Sequence, residues 1–357
     1  MHKNFVKAFG SEWFGVSIGT LALAEVYLLA YGQFKFAALN LAGEFFSFLG
    51  IAIFAAVLIL WIIHNLSTGD KVSSHWHNLT RLSFVSLIPI ICFVGNYQLI
   101  QFFGLNGTAA AISLANYTLS YMLSLILGVL LGYRLYTKEI TPREINYAVV
   151  IPPLAIGTSV FLGGDLINYY GGTTGHTIYF LLVFGLGIFF FLYIFIGSLA
   201  LAGHVSNKNH DLLPTTMLPV GIASLIVINI LSLVEFNGLG IFYLSPSAAG
   251  MISVMLWGFE VWNFLVVAII IFTKPIRKSI SVWAYGFPLG LFAVSTLKIM
   301  AIGHENVLIW VFVAIAVSLN VVWIYAWMNT ISFIVDRYRK TEKAGTKKTE
   351  HDAGELR

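Results

Sequence analysis

The residues able to do chemistry in this chain sit where chemistry is costly. Lys298 and the acids Glu12, Glu25, Glu44, Asp165, Glu235 and Glu260 fall within or at the ends of long apolar blocks. An ionised group there must find a partner, a water-filled cavity or a transport path. Lys298 is the one basic residue inside a block, and two roles fit it. It attracts anions along a path, or it forms a structural ion pair with Glu235 or Glu25. Glu44 and Glu260 lie on even-numbered blocks, so interhelical hydrogen bonding or protonation fits them better than transport. The acids do not line up as a proton relay.

Enzyme signals are weak, and no catalytic residue is assigned. The nine histidines fall almost entirely in loops or at helix ends, whereas haem ligands would face one another within spans. His75 and His77 flank Trp76 without a further Cys or acid beside them, so no metal site is assigned and no cofactor is expected. A phosphate-binding loop is absent from the sequence, so ATP-driven transport would need a separate subunit. The single cysteine, Cys92, excludes a disulfide framework.

The elements that must position these residues are membrane helices. The chain has 357 residues, 58% of them hydrophobic and only 10% charged. That is too little charge to coat a soluble globule, which needs about a quarter. Ten apolar blocks, at 11–31, 37–63, 83–104, 109–136, 146–168, 177–203, 213–235, 247–272, 280–302 and 306–335, are long enough to cross a bilayer of ~30 Å as helices. In lipid the backbone must bond to itself, and the blocks lack the short alternation of barrel strands. The first block carries Glu12 and Glu25 and no small-residue cleavage site, so it reads as a true span. Residues 1–335 form one ten-helix domain, and 336–357 form a short basic tail expected to be disordered. Of the 20 Lys and Arg residues, all but Lys35 and Lys298 fall on the side of the termini. By the positive-inside rule both termini are cytoplasmic. The net charge of +4 is this rim, suited to anionic lipid rather than nucleic acid.

Proline marks an internal repeat. Pro89, Pro152, Pro153, Pro219 and Pro288 recur at near-equal intervals in the third, fifth, seventh and ninth blocks, and Ser17 takes the position in the first. The reading is five hairpins, each a proline-kinked odd helix followed by a straight even one. The odd helices surround a central pore and the even helices form the outer shell. The residues before the kink, Val16, Ile88, Pro152, Leu218 and Phe287, are expected to form one layer across the axis. Phe287 is the only aromatic in that layer and the natural plug, since an apolar constriction gates by excluding water. Lys298 lies 11 residues further on the same face, which is ~16 Å along the helix.

Several strings carry a family likeness. Trp13-Phe14-Gly15 with Ile18-Gly19 is one, and Ile151-Pro152-Pro153 followed by Gly157 is another. The most specific is Trp283-Ala284-Tyr285-Gly286-Phe287-Pro288-Leu289-Gly290 with Thr296-Leu297-Lys298. Together they resemble the tellurite-resistance/dicarboxylate transporter family, which includes bacterial tellurite-resistance proteins, fungal malate and sulfite transporters and plant guard-cell slow anion channels. The resemblance implies ten helices in five hairpins, a homotrimer of separate pores and a ninth-helix phenylalanine, Phe287, as the gate. It also implies a small first-helix residue opposite, Gly15 or Gly19. It departs at Ser17, where many members have proline, and in lacking long regulatory termini. The function expected is an anion channel or anion-selective transporter of the plasma membrane. The alternatives are a proton-coupled C4-dicarboxylate or sulfite carrier and, from another class, a membrane redox or haem enzyme.

Overall fold

In the computed structural model the described residues are 10–68, 79–137, 145–206, 210–274, 278–303 and 306–354. The His75–His77 pair and much of the basic rim lie outside them. Among the described residues ten helices are long and apolar enough to cross a membrane: α1 Ser11–Phe34, α2 Ala37–Leu66, α3 Leu79–Phe103, α4 Gly107–Thr137, α5 Tyr147–Tyr170, α6 Gly172–Gly203, α7 Leu213–Glu235, α8 Pro246–Thr273, α9 Ile280–Gly303 and α10 Leu308–Asp336. These agree with the sequence blocks to within a few residues.

Each odd helix packs against the even helix that follows it, giving five hairpins. The odd helices also touch one another in chain order, and α9 closes the circle on α1. Each even helix fills the groove between its hairpin partner and the next odd helix, with α10 resting on α9 and α1. The burial follows this layout. In the odd helices 67–89% of the apolar stretch is buried, against 11–39% in the even ones. The even helices therefore turn their apolar side chains outward, as a shell facing lipid or other subunits does.

Small residues let the layers close. A Cβ on Gly50 would stand 2.7 Å from Leu21, and one on Gly43 would stand 2.5 Å from Leu28, so α1 and α2 interlock along their length. Within the ring, a Cβ on Gly221 of α7 would stand 2.8 Å from the Pro288 backbone, and one on Gly290 would meet Ala22 at 2.7 Å. Polar groups tie the shell to the ring. Trp257 of α8 donates to Thr296 of α9 (3.0 Å), and Trp323 of α10 donates to Thr20 of α1 (3.2 Å). Each bond runs from an even helix to the odd helix that follows it around the ring.

The prolines act differently from the expected mid-helix kink. Four odd spans open with a 3₁₀ segment, at Ser11–Trp13, Tyr147–Val150, His210–Met217 and Ile280–Tyr285. The α-helical part begins at Phe14, Ile151, Leu218 and Gly286. In α3 a short helix, Leu79–Val85, breaks before Leu87. Pro89, Pro152, Pro153, Pro219 and Pro288 thus occupy the first turn of the main helix. There a missing N–H costs little and the fixed φ is already suitable. The break comes near the termini-side end of the span rather than in its middle. Helix α1 makes the same transition without proline, and its Ser17 hydroxyl donates to the Gly50 carbonyl at 2.8 Å.

Helix α5 has a second break at Thr158–Ser159, and Asn229 of α7 donates to the Gly157 carbonyl freed by it (3.0 Å). Helix α10 continues past the membrane span to Gly354. That stretch is rich in Lys, Glu and Ala, which favour helix. Lys278 pairs with Asp336 at its root (2.9 Å).

Candidate functional site

The axis of the ring has two unlike ends. On the termini side, the 3₁₀-to-α junctions converge on a vestibule. It is lined by Gly15 and Ile18 of α1, Phe84 and Leu87 of α3, Ile151 and Leu154 of α5, Leu218 of α7, and Trp283, Phe287 and Pro288 of α9. Every odd helix contributes. The free space is about 30 Å³, room for one or two waters and not for a hydrated anion. Phe287 is 5% exposed. Glu12 and Ser281 stand at the rim.

The expected layer is only partly in register. Leu218 and Phe287 line the vestibule, but Gly15 and Ile18 take the place of Val16, Leu87 that of Ile88, and Ile151 with Leu154 that of Pro152. The backbone turns ~120° per residue in a 3₁₀ segment and ~100° in an α-helix. Counting from the proline across a junction therefore loses the phase. Phe287 is also not the sole aromatic, since Phe84 and Trp283 share the lining. Among the prolines singled out as pore-lining, Pro288 alone lines this space; Pro89, Pro152, Pro153 and Pro219 are buried in the ring wall.

The two glycines expected opposite Phe287 divide their roles. Gly15 lines the vestibule, while Gly19 does not. A Cβ on Gly19 would stand 2.8 Å from the Trp283 ring, and one on Gly286 would stand 3.1 Å from the Gly19 Cα. Gly19 therefore sets how closely α9 approaches α1. Trp283 is wedged there, donates to Thr330 of α10 at 2.9 Å and meets Trp327 edge-on at 5.5 Å. It fixes the segment leading to Phe287, a role that sequence reasoning missed. The Gly15–Gly19 spacing of one helical turn is the signal that points to it, since small residues so spaced admit a close neighbour.

At the far end each odd helix contributes a polar group. Gln98 of α3 is fully buried and donates to the Leu21 carbonyl (2.9 Å) and to the Glu25 carboxyl (3.3 Å). The Tyr97 hydroxyl faces the same carboxyl. Gln101 donates to Asp165 of α5 at 3.1 Å. Lys298 of α9 pairs with Glu235 of α7 at 2.8 Å, their side chains 28% and 59% exposed. Of the two partners considered for Lys298, the structure brings Glu235 to it, and Glu25 is engaged by Gln98 instead. Gln98 and Tyr97 went unrecognised in the sequence because a neutral polar residue in a span carries no sign of its partner.

The remaining acids are held by neighbours. Glu44 accepts from Asn40 on its own helix (2.6 Å). Glu260 joins three helices, accepting from Ser224 of α7 (2.8 Å) and Ser295 of α9 (2.7 Å). That is the interhelical hydrogen bonding expected of it. Among the described residues no three His, Cys, Asp or Glu side chains stand together to hold a metal.

A ring of five inner helices, narrowed by apolar side chains at one mouth and charged at the other, is the build of a multi-pass membrane channel or transporter. Comparison with known proteins names the class. The model of the voltage-dependent anion channel family matches residues 8–331, and the chain belongs to that family. Two transporters of Methanocaldococcus jannaschii, both described as uncharacterized, are each 23% identical to it. One aligns over 92% of this chain and 96% of its own length, the other over 82% and 84%. The likeness seen in the ninth-helix string thus extends along nearly the whole chain.

Proposed function

We propose that the chain conducts anions along the axis of the ring and that Phe287 closes this path at the termini-side vestibule. The observation that carries this reading is the vestibule itself. All five odd helices meet there, and about 30 Å³ remains between apolar side chains. A hydrated ion would have to shed its water against groups that offer no replacement ligand, so the path is closed by dewetting. The Phe287 ring turns about two side-chain torsions, and Gly15, which has no side chain, leaves room on the facing helix. Rotation of the ring opens the path.

On this reading the substrates are inorganic or small organic anions, and the protein works in the plasma membrane with both termini in the cytoplasm. Family likeness supports a homotrimer in which each chain has its own path. The deciding experiment is anion flux in liposomes carrying wild type or Phe287→Ala, with chloride, nitrate, malate, sulfite and tellurite compared. The variant is expected to conduct constitutively. A variant that conducts no better while losing the stability of a core phenylalanine would reassign the gate.

One observation favours a second reading. Glu25, Asp165 and Glu235 put three carboxyls at the far mouth, beside the ammonium of Lys298. Carboxyls there repel an approaching anion unless a proton accompanies it, which is the arrangement of a proton-coupled dicarboxylate or sulfite carrier. Flux that follows an imposed pH gradient would favour the carrier, and single-channel currents indifferent to it would favour the channel.

A further inference from the structure

Behind the vestibule, on the face turned toward lipid, α8, α9 and α10 leave a groove of about 540 Å³. Tyr285 and Leu289 of α9 form its floor. Phe264 and Ala268 of α8 form one wall, and Val317 and Val321 of α10 form the other. This is the volume of a small-molecule site, yet it opens sideways through exposed apolar side chains. Val321 is 60% exposed and Val317 is 58% exposed.

Four polar side chains interrupt the apolar lining: Lys274, Tyr285, Tyr325 and Ser318, whose hydroxyl donates to the Ala314 carbonyl of its own helix (2.8 Å). Lys274 ends α8 at one end of the groove, exposed and without an ion pair among the described residues. The Tyr285 hydroxyl is buried and has no hydrogen-bond partner among the described residues. A buried donor left unmade is costly, so its place in the floor points to an acceptor supplied from outside the chain. The groove therefore offers an apolar channel, a hydroxyl donor within it and an ammonium at its mouth, on the side where basic residues gather.

We propose that this groove binds one anionic phospholipid of the termini-side leaflet. Its acyl chain lies along Leu289, Val317 and Val321. Its phosphate meets Lys274, and an oxygen of the headgroup or ester linkage accepts from Tyr285. The charge at the mouth selects an anionic over a zwitterionic headgroup. The groove floor is the outer side of the segment whose inner side carries Phe287, so the bound lipid rests against the back of the vestibule wall.

The test is native mass spectrometry of the full chain in detergent, titrated with phosphatidylglycerol or phosphatidylcholine, with melting followed in parallel. Wild type should hold one phosphatidylglycerol about fivefold more tightly than phosphatidylcholine, the ~1 kcal/mol of one basic residue near an anionic headgroup. Lys274→Gln should erase the preference while keeping the lipid. Val321→Trp, filling the groove from an exposed position, should lose both lipids; Val317→Trp gives the same reading should that variant not fold. Unchanged lipid binding in both the charge and the filling variants would overturn the proposal. So would a filling variant that leaves lipid binding intact but dissociates an oligomer, because the groove would then be covered by a second copy of the chain.

Discussion

The two mouths of the ring are built from the same five helices and have opposite chemistry. At the termini side the odd helices offer Ile18, Leu87, Leu154, Leu218 and Phe287 around a space that excludes ions. At the far side the same helices offer Glu25, Gln98, Asp165, Glu235 and Lys298. The first mouth is suited to stopping an ion, the second to meeting one. The difference lies in where each helix changes from 3₁₀ to α. The junctions cluster at the termini side, where backbone segments converge and side chains crowd inward. The α-helical parts run on unbroken, apart from α5, to the far side and carry polar groups there, Gln98 and Glu25 buried and Glu235 and Lys298 partly exposed.

The largest expected effect comes from emptying the apolar mouth. Phe287→Ala should raise anion flux by at least an order of magnitude. It should cost less than the ~3–5 kcal/mol of a packed phenylalanine, because its ring borders a cavity. Liposome flux and thermal melting, read together, check both halves. Conduction unchanged with full core cost would make the two mouths alike in carrying no gate.

The next largest effect separates packing from gating within that mouth. Gly19→Ala and Gly221→Ala place a methyl against the Trp283 ring and the Pro288 backbone. Each should cost about 1–3 kcal/mol by overpacking, measurable by denaturation in detergent. Gly15→Ala, with its nearest contact at 3.2 Å, should cost less than either and instead lower the flux of the opened Phe287→Ala background. Equal stability losses at all three glycines would remove the special place given to Gly15.

At the charged mouth the effects should be smaller. Asp165→Asn at the exposed contact with Gln101 keeps the shape and removes one negative charge. For a channel, anion conductance should rise about twofold to threefold at low salt and converge on wild type near 1 M, where screening shortens to ~3 Å. For a coupled carrier, flux driven by a pH gradient should instead fall. The smallest stability change belongs to Lys298→Gln. Its partner Glu235 is 59% exposed, and pairs of that kind contribute about 0–1 kcal/mol. Its conductance should drop at low ionic strength only. A large loss of folding on Lys298→Gln would mean that the pair holds α7 to α9 and does not serve the path.

Much of this architecture is legible in the chain itself. Block length and the lack of charge require ten membrane helices, because only a self-bonded backbone survives in lipid. The recurrence of Pro89, Pro153, Pro219 and Pro288 places the odd helices in equivalent positions, and the inner ring follows. The ninth-helix string around Phe287 points to the family. Tertiary structure alone decides which side chains face the axis. The prolines sit in first turns after 3₁₀ segments, so the phase counted from them slips, and Leu87 and Ile151 replace Ile88 and Pro152 at the vestibule. It also decides partners. Sequence left Glu235 and Glu25 open as partners of Lys298, both near the far ends of odd helices, and Gln98 of α3, bonded to Leu21 and Glu25 of α1, leaves Glu235 for the lysine. Periodicity is a property of one helix at a time, whereas a partner is fixed by how neighbouring helices rotate and slide when their glycines let them close.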